Sequence, residues 1–121
     1  MDTPRLVLVV DDDSGIRDTM RDILLLEGYA VHSAGDGESA IDCCRANHYD
    51  MVLLDIRMPG IDGVETLRGI KTVDPDARVI MITGFDVGER VQEAMAQGAE
   101  AVFRKPLDVA DFMPLLLATT V

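Results

Sequence analysis

The stretch MVLLDIRMPGIDG, residues 51–63, decides the fold of this chain. Its first four residues are apolar, the run ends abruptly at Asp55, and the turn formers Pro59, Gly60 and Gly63 follow. A short apolar run bounded by turn formers is typical of a strand buried on both faces of a sheet. Asp55 is therefore expected where that strand leaves the core. Burying a carboxylate at such a place costs desolvation free energy unless a positively charged group pairs with it.

Four other short strands are predicted along the chain, and helical patterns separate them. The predicted strands are Leu6 to Val10, Ala30 to Ser33 (short and expected at a sheet edge), the Met51 strand, Arg78 to Ile82, and Ala101 to Phe103. Because parallel strands need crossover connections, this alternation predicts an α/β fold. We expect a three-layer sandwich with a doubly wound, five-stranded parallel sheet, in one domain spanning residues 1–121.

Capping and stop signals predict where the helices begin and end. Ser14 is the predicted N-cap of the first helix and Asp36 that of the second, while Asp62 with Glu65 resembles a capping box. A last apolar helix is expected from about Asp108. The residues expected to face the core are Ile16, Met20, Ile23 and the run Leu24 to Leu26; Ala40, Ile41 and Cys44; Val64, Leu67 and Ile70; and Val87, Val91, Ala94 and Met95.

The composition excludes several classes of protein. A chain of 121 residues with 48% hydrophobic and 27% charged residues is an ordinary globular domain. No apolar window reaches the ~18 residues of a membrane span and no signal-peptide pattern opens the chain, so we expect a cytoplasmic protein without membrane contact. The net charge of -11 argues against direct nucleic-acid binding, because phosphate contacts need clustered Lys and Arg. The adjacent Cys43 and Cys44 are expected to be packing residues.

Polar residues end the predicted strands, and they form the candidate site. They are Asp11, Asp12, Asp55, Thr83 and Lys105. Open parallel sheets bind ligands at the carboxyl ends of their strands. Two or three carboxylates make an oxygen-rich site for a hard cation such as Mg2+, and a hydroxyl and an ammonium can hold phosphoryl oxygens. These parts suit phosphoryl transfer to an Asp nucleophile, although these arguments do not decide which Asp is attacked.

Four fragments of the sequence resemble a known family. They are VVDDDSGIR (residues 9–17), LLDIRMPGIDG (53–63), MITG (81–84) and RKP (104–106). In this order and at strand ends, they resemble the response regulator receiver domain of two-component signalling, over essentially the whole chain. The resemblance implies a flavodoxin-like sheet of strand order 2-1-3-4-5, as in chemotaxis regulators. It also implies a signalling switch that catalyses only its own phosphotransfer and dephosphorylation.

The resemblance also implies roles for the site residues. Asp55 would accept the phosphoryl group from a sensor histidine kinase or a histidine phosphotransfer protein. Asp12, Asp55 and the backbone carbonyl of Arg57 would bind Mg2+, and Asp11 would help through a water molecule. Thr83 and Lys105 would contact the phosphoryl oxygens.

The signal is expected to leave through one face of the domain. By resemblance, this face consists of the fourth helix, the fifth strand and the fifth helix, and it would meet an output domain or a second copy of the chain. Receivers often carry Tyr or Phe three residues before the site lysine, whereas this chain has Val102 there and Phe103 next to it. We therefore expect switching through Thr83 and backbone movement.

Two alternative functions remain open at this point. A phosphatase of the haloacid-dehalogenase type also uses an Asp nucleophile and Mg2+, but that family resembles a DxD motif, whereas Arg57 stands two residues after Asp55. Turnover of a generic phosphomonoester would favour it. A degenerate receiver used only for protein contact usually lacks one of the acids or the lysine, and none is missing here. Failure to bind Mg2+ would favour that alternative.

Overall fold

The computed structural model describes residues 5–58, 60–84, 88–105 and 114, and strands alternate with helices along these ranges. The elements are β1 Leu6–Val10, α1 Ser14–Leu26, β2 Ala30–Ala34, α2 Gly37–Ala46, β3 Met51–Asp55, α3 Gly63–Val73, β4 Val79–Thr83, α4 Gly88–Ala96 and β5 Ala101–Arg104. Each predicted strand is present, and no predicted end differs from the observed one by more than one residue. The predicted last helix lies outside the described residues, apart from Pro114. No helix in the described ranges is long and apolar enough to cross a membrane.

The strands form one parallel sheet of order β2-β1-β3-β4-β5, which confirms the predicted flavodoxin-like order. The chain moves outward from β1 in one direction to β2 and in the other to β3, so the topological switch point lies between β1 and β3. In the register of the sheet, Val10 lies beside Leu54, and Asp55 beside Ile82. The carboxyl ends of β1, β3, β4 and β5 therefore meet along one edge.

Helices cover both faces of the sheet, which confirms the three-layer sandwich. The α1 face buries one apolar cluster: Val7, Val9, Met20, Leu24, Met51, Leu53, Ile80 and Ile82. The opposite face buries a larger cluster with α2, α3 and α4, to which Ala40, Cys44, Val64, Leu67, Ile70 and Ala94 contribute. Every residue of β3 and β4 is buried. This burial on both faces is the physical reason that their sequences read as unbroken apolar runs.

The predicted N-cap of the first helix was wrong by one residue. Asp13 is the N-cap, since its Oδ1 accepts hydrogen bonds from the backbone N–H groups of Gly15 (2.8 Å) and Ile16 (3.2 Å). Ser14 is instead the first helical residue. Both residue types are good caps, and the longer reach of the Asp side chain serves two N–H groups here. The predicted caps of α2 and α3, Asp36 and Asp62, are confirmed.

Three residues that were expected in the core are exposed. Leu25 and Leu26 have 51% and 88% of their surface accessible, and Met95 has 48%. In α1 the buried positions are Met20 and Leu24, one helical turn apart. Because each helical residue turns the side chain by about 100°, the two residues after Leu24 point away from the sheet. The expectation that the whole leucine run belongs to the core was therefore wrong.

Candidate functional site

Three carboxylates converge where β1 and β3 leave the sheet. Oxygen atoms of Asp11, Asp12 and Asp55 lie within 4.8 Å of one another. Asp11 and Asp55 are buried, whereas Asp12 is exposed, so the cluster opens to solvent on one side. The neighbouring positions of β1 and β3 in the sheet bring these acids together, although Asp12 and Asp55 are 43 positions apart in the sequence. Anionic oxygens at this spacing are the ligand type that suits Mg2+.

Lys105 forms ion pairs with the two buried carboxylates. Its Nζ lies 2.9 Å from Oδ2 of Asp11 and 3.0 Å from Oδ2 of Asp55. The backbone N–H of Lys105 donates to the carbonyl of Thr83 (2.8 Å), so the residue continues the β4–β5 ladder past the end of β5. This backbone bond places the lysine at the carboxyl edge of the sheet. From there its side chain reaches across β4 to the two acids, and the ammonium offsets part of their desolvation cost.

Burial and pairing act against each other on the ionisation of these groups. Burial raises the pKa of Asp55 above its usual value, and it outweighs the hydrogen bonds from Lys105 and the backbone N–H of Arg57. Burial alone would lower the pKa of Lys105, but its hydrogen bonds to Asp11 and Asp55 raise that pKa overall. The charged form of Asp55 is therefore costly to hold, and a further cation at the cluster would stabilise it.

Backbone N–H groups orient both buried carboxylates. The N–H of Asp13 donates to Oδ1 of Asp11 (2.9 Å), and the N–H of Arg57 donates to Oδ1 of Asp55 (3.1 Å). Each acid thus accepts from the residue two positions later, as in an Asx turn. One oxygen of each carboxylate is held by the backbone and the other faces Lys105. The side chain of Arg57 is exposed.

Thr83 and Gly84 lie at the carboxyl end of β4, the strand between β3, which carries Asp55, and β5, which Lys105 follows. Thr83 is buried and ends β4. The next residue, Gly84, is exposed, and a Cβ placed on it would approach the Cδ of Lys105 at 3.8 Å. The structure thus brings all of the predicted site residues to one edge: Asp11, Asp12, Asp55, Arg57, Thr83 and Lys105.

Arg17, for which the sequence predicted no role, also contacts the site. Its Nη1 donates to the backbone carbonyl of Asp11 at 2.6 Å. The signal available in the sequence was its place in the fragment of residues 9–17, six positions after Asp11. Spacing alone does not reveal the contact, because it depends on the path of the chain between β1 and α1.

Comparisons with known proteins all point to one family. The sequence profile described as the response regulator receiver domain matches residues 7–116. The chain is 38% identical over 103 residues to sporulation initiation phosphotransferase F of Bacillus subtilis, an alignment that covers 85% of this chain and 83% of the relative. A solved structure with a similar fold is CheY of Borrelia burgdorferi in its complex with CheX, BeF3 and Mg2+. It has a TM-score of 0.88 and 34% identity, and the match covers 98% of this chain and 90% of that one.

Other relatives are longer than this chain. The response regulator MprA of Mycobacterium sp. (strain KMS) is 35% identical over 116 residues, which is 95% of this chain and 50% of the relative. The chain thus spans about half the length of MprA.

Proposed function

Because the chain belongs to the response regulator receiver domain family, whose members are switches phosphorylated on an aspartate, we propose that Asp55 is its phosphoacceptor. Receivers bind Mg2+ at an acidic pocket and take their phosphoryl groups from histidine kinases or phosphotransfer proteins. The observation that carries the proposal is the convergence of three carboxylates and one ammonium at a single edge of the sheet. The position of Asp55 within LLDIRMPGIDG selects it among the three acids.

In the proposed reaction, an oxygen of the Asp55 carboxylate attacks the phosphorus atom of a donor phosphohistidine. A P–O bond forms as the P–N bond breaks, and the electron pair leaves with the imidazole nitrogen, which takes a proton from solvent. Mg2+, when bound, would supply positive charge that offsets the charge of the phosphoryl oxygens. The residues proposed to hold it are Asp12, Asp55 and the backbone carbonyl of Arg57, with Asp11 acting through water.

Two side chains are proposed to hold the transferred group. Lys105 already lies between Asp11 and Asp55, so a short movement of its ammonium would reach a phosphoryl oxygen on Asp55. The hydroxyl of Thr83 would donate to a second oxygen, and Gly84 leaves room above the site. Slow hydrolysis would later return Asp55 to its free form, when water attacks the phosphorus and the bond to the carboxylate oxygen breaks.

The output is proposed to leave through the face that α4, β5 and the predicted last helix form. Thr83 leads toward α4 and Lys105 directly follows β5, so movement of either residue toward the phosphoryl group would act on this face. Val102 packs against the cluster that contains Ala94 of α4, whereas Phe103 packs against the cluster on the α1 face. Phe103 therefore does not replace the aromatic residue that other receivers carry at position 102. The residues of the last helix proposed for this face, Phe112, Met113 and Leu115 to Leu117, lie outside the described residues.

Phosphorylation by a small donor tests the proposal. With Mg2+ and acetyl phosphate, the protein should gain one base-labile phosphoryl group, and EDTA should prevent this. Asp55→Asn should abolish the gain, because an amide is a far weaker nucleophile than a carboxylate. The matched control is Asp76→Asn, an exposed acid at the opposite edge of the sheet, before β4. Intact-protein mass spectrometry measures the outcome.

Three measurements on the same proteins separate the alternative functions. Labelling of the Asp55→Asn protein at the parental rate would contradict the assignment of the acceptor. Steady turnover of p-nitrophenyl phosphate would favour a phosphatase. A parent protein that neither binds Mg2+ nor accepts the phosphoryl group would favour a module used for protein contact alone.

A further inference from the structure

We propose that Arg17 is a positioning residue, which holds the peptide group between Asp11 and Asp12 and so sets the direction of the Asp12 carboxylate. The proposal rests on the proposed function for what the carboxylates bind. The contact itself belongs to the metal-free protein, so it can be tested separately.

The main chain of Asp11 is held at both ends. Its backbone N–H donates to the carbonyl of Ala34 in β2 (3.2 Å), and its carbonyl accepts from Nη1 of Arg17 (2.6 Å). A guanidinium makes a charge-assisted hydrogen bond, which is stronger than one between neutral groups. The bond links α1 back to the end of β1, and it satisfies a carbonyl that lies beyond the last residue of that strand.

The held carbonyl matters because a peptide group is planar. Fixing the C=O of Asp11 also fixes the N–H of Asp12 and limits how the next residue leaves the plane. The carboxylate of Asp11 is held in place by the N–H of Asp13 and the ammonium of Lys105. Asp12 is the exposed member of the cluster, so packing constrains it least. The orientation of its carboxylate therefore depends on the backbone that Arg17 holds.

Gly35 makes room for this contact. A Cβ at position 35 would lie 3.2 Å from Nη1 of Arg17 and 3.6 Å from its Cζ. The guanidinium thus lies across the chain just after β2, next to the end of β1. Gly35 is not among the glycines with positive φ, so its backbone would accept alanine. Gly35→Ala consequently presses on the guanidinium from outside without removing any group of the site.

Three substitutions separate positioning from charge. Arg17→Met keeps most of the side-chain length but removes the donors and the charge. Arg17→Lys keeps the charge but loses the planar fork of donors. The control is Arg21→Met, on the same helix about one turn later, where the arginine is exposed and lies 3.9 Å from Asp18 and 3.7 Å from Asp22.

The first measurement uses the metal-free protein in EDTA. Amide hydrogen exchange and 15N chemical shifts report the N–H groups of Asp12 and Asp13. We expect faster exchange and shifted resonances for both amides in Arg17→Met, and no change in Arg21→Met. Parental exchange and shifts in Arg17→Met would overturn the proposal. This readout needs neither Mg2+ nor phosphorylation, so it stands even if the proposed function fails.

The second measurement is calorimetric titration with Mg2+. Residues that orient metal ligands typically change metal affinity by about tenfold or more when they are removed, so we expect about a tenfold loss in Arg17→Met. Arg17→Lys should recover only part of the affinity, because lysine restores the charge but not the planar donors that hold the Asp11 carbonyl. Because a positive charge beside the acids repels Mg2+, loss of charge alone would tighten binding in Arg17→Met, so unchanged or tighter binding would overturn the positioning role.

Gly35→Ala keeps the proposal testable if Arg17→Met does not fold. This variant should show a smaller loss of Mg2+ affinity in the same direction, with a change at the Asp12 amide. Where Arg17→Met folds, adding Gly35→Ala to it should have no further effect, since both changes act through one contact. Independent, additive losses would contradict the shared contact.

Discussion

At the scale of single residues, the site is a compromise between burial and charge. As the proposed nucleophile, Asp55 would have to be ionised, yet it is buried beside a second carboxylate. Lys105 is shared between these two acids, so one positive charge faces two negative ones. We expect the remaining charge imbalance to destabilise the metal-free domain. The same imbalance would favour the binding of a cation at the cluster, because a cation stabilises the ionised carboxylates.

We therefore expect Asp55→Asn to stabilise the metal-free domain at pH 7. The pKa of Asp55 is higher in the folded protein than in the unfolded chain, so the folded state binds the proton more tightly. The stabilising contribution of this carboxyl group is then fully present below its unfolded pKa and is lost as the pH rises through the folded pKa. Asparagine imitates the protonated form, so the melting temperature should rise by a few degrees at pH 7. That gain should shrink as the pH falls toward about 4, the ordinary range of an aspartate.

Thermal unfolding in EDTA at several pH values measures this effect. Asp76→Asn again serves as the control, because the same substitution at an exposed site should leave the pH dependence almost unchanged. A less stable Asp55→Asn protein at pH 7, or a gain that does not vary with pH, would contradict the expected cost of charge at Asp55.

At the scale of elements, the start of α3 is packed onto the backbone of the proposed acceptor. The N–H of Gly63 donates to the carbonyl of Ile56 (2.7 Å). A Cβ on Gly63 would collide with the backbone carbonyl of Asp55 and lie 2.5 Å from the Cα of Ile56. Gly63 does not have a positive φ. A glycine is required here because only a residue without a Cβ can approach the backbone of Asp55 and Ile56 this closely. Through it, the position of a helix is tied to the position of the acceptor.

Gly63→Ala should therefore destabilise the domain by about 1–3 kcal/mol, the usual cost of overpacking against groups that cannot move aside. It should also slow phosphorylation by acetyl phosphate, because the added methyl group displaces the Asp55 backbone. Urea unfolding and the labelling assay measure the two effects.

Gly69→Ala is the matched control in the same helix. There the added Cβ would meet only the side chain of Ile41, which can rotate, and alanine favours a helix by about 0.5–1 kcal/mol over glycine. Equal losses of stability in the two variants would show that the contact with the acceptor backbone has no special role.

At the scale of the whole molecule, the site lies at one edge of a sheet whose strands lead into different helices. β4 leads from Thr83 toward α4, and β5 ends at Arg104 directly before Lys105. β2 is the edge strand farthest from β5, and α2 packs against β2 and β1. A change at the acceptor should therefore reach the α4 and β5 side more strongly than the α2 side.

Adding Mg2+ and beryllofluoride, which imitates the phosphoryl group, should produce this asymmetry. In 1H–15N spectra we expect shifts of the backbone amides in α4 and β5, and much smaller ones in β2 and the C-terminal half of α2. The Asp55→Asn protein should show neither set. Shifts confined to the loops around the acids, or equal on both sides, would contradict output through the α4 side. Sedimentation of the same samples would detect any self-association that depends on beryllofluoride.

The sequence by itself determined the elements and the edge at which the site lies. Unbroken apolar runs predict strands buried on both faces, and the acids and the lysine that follow them lie at the carboxyl ends. These are local properties, which a few neighbouring residues decide. The resemblance of four short fragments added the strand order, which the structure confirms, and the proposed roles of the residues, including the choice of Asp55.

Only the tertiary structure decided which of these groups meet and which side chains the fold leaves outside. The lysine that reaches two acids and the arginine that holds the Asp11 carbonyl depend on contacts between elements. The same holds for the exposure of Leu25 and Leu26, which follows from the direction in which α1 faces the sheet. A hydrophobic pattern records the face of one element, but contacts arise from how several elements pack, and that information is spread over the whole chain.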